Sequence, residues 1–78
     1  MSMREAVEML ARAVVEHPEA VEVTATEGER LIQVEIRVAP GDVGKVIGRQ
    51  GRVIKAIRRL ANAAVVAGNR RVTVEIGP

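Results

Sequence analysis

Gly48 and Gly51 stand three apart, with Arg49 and Gln50 between them and Lys45, Arg52 and Lys55 close by. Branched apolar residues flank the pair, Val46 and Ile47 before it and Val53 and Ile54 after it. These residue types in this order suit contact with a phosphate chain. Glycine has no side chain to hold a ligand away from the backbone. Arginine and lysine supply charge, and glutamine a neutral hydrogen bond. A helix starting at Gly51 would add the unpaired N–H groups and the positive dipole end of its first turn.

Covalent chemistry has little to work with. The chain holds one histidine (His17), no cysteine, and a single serine at position 2. General acid–base catalysis needs positioned titratable groups, and the glutamates are scattered without a carboxylate pair or a metal-ligand spacing. His17 precedes Pro18 at the end of a predicted helix, where it can face the last carbonyls. No G-K-[ST] follows the glycines, which excludes a Walker loop. The turn joins helix to helix and not strand to helix, which excludes a dinucleotide fingerprint. The chain has no Phe, Trp or Tyr, so an RNA-recognition motif, whose sheet stacks bases on aromatics, is excluded too. The expectation is a binding protein and not an enzyme, with no cofactor, no metal and no small-molecule substrate.

Charge points to the kind of partner. Residues 1–39 carry four basic residues against eight glutamates, a net −4, and residues 40–78 carry eight against Asp42 and Glu75, a net +6. Six basic residues and no acid lie between Lys45 and Arg59. Such asymmetry suits a polyanion held by the second half. Arg58, Arg59, Arg70 and Arg71 read as solvated surface. The 78 residues are expected to form one domain, 1–78, with a light core of Val, Ala, Ile, Leu and Met. The absence of cysteine, of a membrane-spanning apolar run and of a signal-peptide core suggests a soluble cytoplasmic protein with no membrane partner.

The elements that must position the turn follow from periodicity. Residues 3–17 read as a helix with Val7, Leu10 and Val14 on one stripe, a Ser2–Glu5 capping box, and a stop at His17-Pro18. Val21 to Thr26 alternates, with Val21, Val23 and Ala25 inward, and Arg30 to Val38 alternates, with Ile32, Val34, Ile36 and Val38 inward and Leu31 as an exposed apolar exception. The turn Glu27-Gly28-Glu29 makes these an antiparallel hairpin. Asp42 is placed as the N-cap of a short helix through Val43, Val46 and Ile47. A longer helix runs from about Arg52 to Val66, with Val53, Ile57, Leu60 and Ala64 as its stripe, Ile54 and Ala61 widening it, and Gly68-Asn69 as its stop. A last strand, Arg71 to Ile76, turns Val72, Val74 and Ile76 inward. The order α-β-β-α-α-β predicts an α+β fold, a two-layer α/β sandwich with helices on one face of a three-stranded mixed sheet. A right-handed crossover places the last strand parallel to the second and beside it.

The string Val46-Ile47-Gly48-Arg49-Gln50-Gly51-Arg52-Val53-Ile54, continued by Lys55, Ile57 and Arg58, resembles the G-x-x-G signature of the K-homology (KH) domain. The element order resembles the family's type II, bacterial topology. Glu16-His17-Pro18-Glu19 and the approach Arg37-Val38-Ala39-Pro40-Gly41-Asp42-Val43-Gly44-Lys45 are similar to the small bacterial stand-alone KH proteins of the KhpA or YlqC type. The resemblance covers nearly the whole chain. It implies an RNA-binding site in which the loop is clamped on the backbone of about four single-stranded nucleotides. Carried onto this sequence, Gly48 and Gly51 would admit the backbone, and Arg49 and Gln50 would contact phosphate. Lys45, Arg52 and Lys55 would hold the strand by charge. Val46, Ile47 and Ile54 are candidates for the apolar groove wall. Taken singly, Ile47, Ile54 and Ile57 fit the core better than a groove, Ile57 is assigned to the core, and Val46 and Ile54 can serve both.

The resemblance implies a low-specificity post-transcriptional regulator or RNA chaperone acting on single-stranded RNA. The alternative is a protein-interaction module, in which the KH fold pairs with a second copy or with a second RNA-binding protein. The two are compatible.

Overall fold

The computed structural model describes residues 1–64 and 70–78, with the side chain of Ala64 outside that description. Helix α1 (Met3–Val14) leads through a short 3-10 turn (Pro18–Ala20) to strand β1 (Glu22–Glu27). Strand β2 (Leu31–Arg37) follows, then a second 3-10 turn (Pro40–Asp42) and the five-residue helix α2 (Val43–Ile47). A tight turn (Arg49–Gly51) joins α2 to helix α3 (Arg52–Ala64), and strand β3 (Arg71–Gly77) closes the order. The last turn of the predicted long helix, its Gly68-Asn69 stop and the Ala64 member of its stripe fall outside the described residues. Among the described residues no helix is long and apolar enough to cross a membrane.

The sheet has the order β1-β2-β3. Strands β1 and β2 pair antiparallel, with Val23 opposite Ile36 and Ala25 opposite Val34. Strands β2 and β3 pair parallel, with Ile32 opposite Val72 and Val34 opposite Val74. This is the predicted mixed sheet, an α+β arrangement of the type II KH kind. Period-2 patterning puts Ile32, Val34, Ile36 and Val38 on one face, and all four are buried, while Leu31 is exposed as expected. Val7 and Ala11 of α1, Val46 of α2, and Ile54, Ile57 and Ala61 of α3 close the core from the helical side. Bulk is small, so the core depends on close fit.

Four expectations are corrected. Ala25 lies on the inward face but is exposed, because β1 is an edge strand and a lone methyl at the rim gains little cover. Helix α1 stops at Val14, with Val15 already extended (φ −99°, ψ 162°), and not at His17. The stripe of α3 is centred on Ile54, Ile57 and Ala61, while Val53 and Leu60 are only partly buried. Asp42 sits at the N-cap position of α2 but makes no side-chain cap bond there.

Asp42 does something else. It is 1% exposed, and its carboxylate accepts the N–H of Glu16 at 3.2 Å and of His17 at 3.0 Å. Those two N–H groups belong to the segment that leaves α1. One carboxylate therefore satisfies the backbone where α1 ends and holds the start of α2 against it. The capping box at the other end of α1 forms as predicted: Ser2 Oγ accepts from Glu5 N–H at 3.1 Å, and Glu5 Oε1 accepts from Ser2 N–H at 3.1 Å.

Candidate nucleic-acid interface

The turn between α2 and α3 is built from residues in the left-handed region. Gly48 has φ +80°, Gln50 +58° and Gly51 +70°. Gly48 N–H closes α2 on Gly44 O at 2.9 Å, and Gly51 N–H bonds Gly48 O at 3.0 Å. The two glycines have different duties. A Cβ at Gly48 would lie 2.5 Å from Val53 Cγ2 and 2.9 Å from Val53 N, so the missing side chain there is required by the turn itself. A Cβ at Gly51 would meet Ile54 Cγ2 at 3.7 Å and Lys55 Cε at 4.0 Å, ordinary van der Waals contacts without a clash. Glycine is needed at 51 for its backbone conformation alone. Gln50 also has a positive φ, with a side chain attached, and its Oε1 accepts from Arg52 Nη2 at 3.3 Å.

The polar residues of the sequence motif come together on this turn. Lys45, Arg49, Gln50, Arg52 and Lys55 are all exposed. Among the described residues no carboxylate lies within 4.0 Å of Arg49, Arg52 or Lys55, whereas Lys45 Nζ lies 3.5 Å from Glu16 Oε1. The first turn of α3 carries no acid, so the field of its positive end adds to that of the side chains.

The apolar candidates divide. Val46 is 0% exposed and packs in the core, so it is not a groove wall. Ile47, one residue on and about 100° around the helix, is 41% exposed, against the expectation that it fits the core better. Ile54 is 8% exposed and reaches both core and surface. Ile57 is wholly buried, as assigned. Ile47 and Ile54 line a groove of about 270 Å³ with Arg58, Val74 and Ile76. Helices α2 and α3 thus form one wall and β3 the other. Arg58, read from the sequence as plain surface, and Val74 and Ile76, read as inward-facing, also line the groove, a role that sequence reasoning missed although Val74 is in the core as read. The signal was available in the parallel placement of β3, which brings its inward residues beside α3.

The arrangement is an exposed cationic turn at the head of a shallow, mostly aliphatic groove. Such a site can hold a chain that carries phosphates on one side and flat apolar rings on the other. A family model described as "KhpA/KhpB, KH domain" matches residues 4–76. The RNA-binding protein KhpA of Clostridium perfringens is 49% identical over 74 residues, covering 95% of this chain and 99% of that protein. KhpA of Caldanaerobacter subterraneus subsp. tengcongensis is 50% identical over 74 residues with the same coverage. KhpA of Aquifex aeolicus is 39% identical over 75 residues, 96% of this chain and 95% of that protein. Among solved structures, Aquifex aeolicus Era superposes with a TM-score of 0.67 at 22% identity, over 97% of this chain and 31% of that one, a likeness of fold. With the glycine turn, the mixed sheet and these matches spanning nearly the same residues, the chain belongs to the KhpA/KhpB KH-domain family.

Proposed function

We propose that this protein binds single-stranded RNA, with about four nucleotides in the groove and their backbone held by the Gly48–Gly51 turn. The carrying observation is the exposed Arg49, Arg52 and Lys55 of the turn, none with a carboxylate within 4.0 Å among the described residues, beside the Ile47–Ile54 groove. The names of the KhpA relatives support RNA as the ligand. Arg49 and Gln50 face phosphate, Lys45, Arg52 and Lys55 hold the strand by charge, and Ile47 and Ile54 contact bases. Its role is binding and not catalysis, and a groove that discriminates at no more than one of about four base positions keeps overall sequence specificity low, as suits a post-transcriptional regulator or RNA chaperone. The test is fluorescence anisotropy with short single-stranded RNAs and the matching DNAs. The double substitution Arg49→Asp, Gln50→Asp is expected to abolish binding, because it puts two negative charges where phosphates must approach. Undiminished binding by that variant overturns the proposal.

A protein partner is a second, compatible reading. Leu31 is 38% exposed at the start of β2 and offers an apolar contact to a second copy or another RNA-binding protein. Sedimentation over a range of concentrations tests the self-pairing form, which a strict monomer excludes.

A further inference from the structure

Four of the five groove residues are aliphatic, and the fifth is Arg58. Arg58 is exposed, and among the described residues no carboxylate lies within 4.0 Å of it. The aliphatic walls meet the face of any base alike. The edge of β3 is equally permissive. Arg71 N–H donates to Arg30 O at 2.8 Å, and Gly77 O accepts from Val38 N–H at 3.1 Å, so residues 71 and 77 turn their backbone polar groups toward the β2 side. Alternation along the strand then turns those of Val72, Val74 and Ile76 to the open edge. A backbone edge offers donors and acceptors together and suits either kind of base edge. Arg58 is one-sided, with five N–H donors in a planar fork and no acceptor.

We propose that Arg58 sets the base preference of the groove, a step that rests on the RNA-binding reading above. It selects a base with two adjacent acceptors, guanine through O6 and N7 or cytosine through O2 and N3, over adenine. Adenine sets an amino donor beside its ring acceptor, and a guanidinium cannot accept from it. Uracil separates its two carbonyl acceptors by an N–H donor. A lysine in place of Arg58 keeps the charge but is a point donor without the fork.

The experiment is anisotropy on the whole chain and on Arg58→Lys and Arg59→Lys. The probes are uridine-rich RNAs carrying two central guanines, cytosines, adenines or uridines. The unaltered protein is expected to favour the guanine or cytosine RNA over the adenine RNA by about five- to a hundredfold. Arg58→Lys brings that ratio close to one with little change in affinity for the adenine RNA. Arg59→Lys, at a neighbouring arginine that does not line the groove, keeps the ratio. An unaltered protein without base preference, wild-type ratios in Arg58→Lys, or equal loss in Arg59→Lys overturns the role of Arg58 while RNA binding stands. Failure of the unaltered protein to bind any of the four RNAs overturns the RNA-binding reading and this one with it.

Discussion

Single positions decide whether the turn forms. Ala at Gly51 pays only for a left-handed backbone, about 1–2 kcal/mol. Ala at Gly48 meets a backbone position open essentially to glycine alone (φ 80°, ψ 168°) and also drives a methyl into Val53. Its expected destabilisation is larger, about 2–4 kcal/mol, and denaturant melts of the two variants should separate them in that order. Asp42→Ala strips the acceptor from the N–H groups of Glu16 and His17. Both bonds are part-buried, so each group left without its acceptor falls toward the low end of about 1–3 kcal/mol, a loss of about 2–4 kcal/mol in all is expected, and Asp42→Asn, which keeps one carbonyl, should lose less. At this scale the sequence was only partly readable. An Asp before a helix reads as its cap, yet its partners lie 25 and 26 residues earlier, where no local pattern can announce them. Val46 and Ile47 are adjacent branched residues in a helix of five, too short for periodicity to say which one faces inward.

Among the elements, α1 offers the sharpest test. The Ser2 N–H, and then the Ser2 hydroxyl, hold the Glu5 carboxyl below the ordinary glutamate range. A depressed folded value means that the ionised form contributes stability above the unfolded value. That contribution is lost as pH falls through the folded one. The gap in melting temperature between the protein and Glu5→Gln should thus be present at neutral pH and close below the usual glutamate value. A gap that widens in acid contradicts the capping box. The box itself was legible because both partners sit within one turn. The end of α1 was not, because it is set by Asp42 and not by the proline that follows His17. The phase of α3 shifted for a related reason. Its buried line answers to the sheet and to α1 together, and a helical wheel contains neither. The strands were more legible, since a period of two leaves no freedom of phase once one face is buried. Ala25 at the rim of β1, and Val72 and Ile76 on the edge strand β3, keep that phase without full cover.

Over the whole molecule, charge is sorted by chain half, and the fold gathers part of the positive half at one turn. About four phosphate contacts on a single strand give a slope of log K against log salt near roughly −3. Titrations from low to moderate salt check this, and a slope near zero means that the basic turn does not touch phosphate. The architecture was legible in full outline because each element carried one apolar face and two layers satisfy all of them. The groove was not, because the predicted placement of the last strand beside β2 does not by itself say how the side chains of that strand meet α3. That placement has a consequence for the order in which the site comes into being. A chain leaves the ribosome from its N-terminal side, so the cationic turn emerges before β3 does. Until Val74 and Ile76 dock beside α3, the nascent protein carries the basic turn without the far wall of the aliphatic groove.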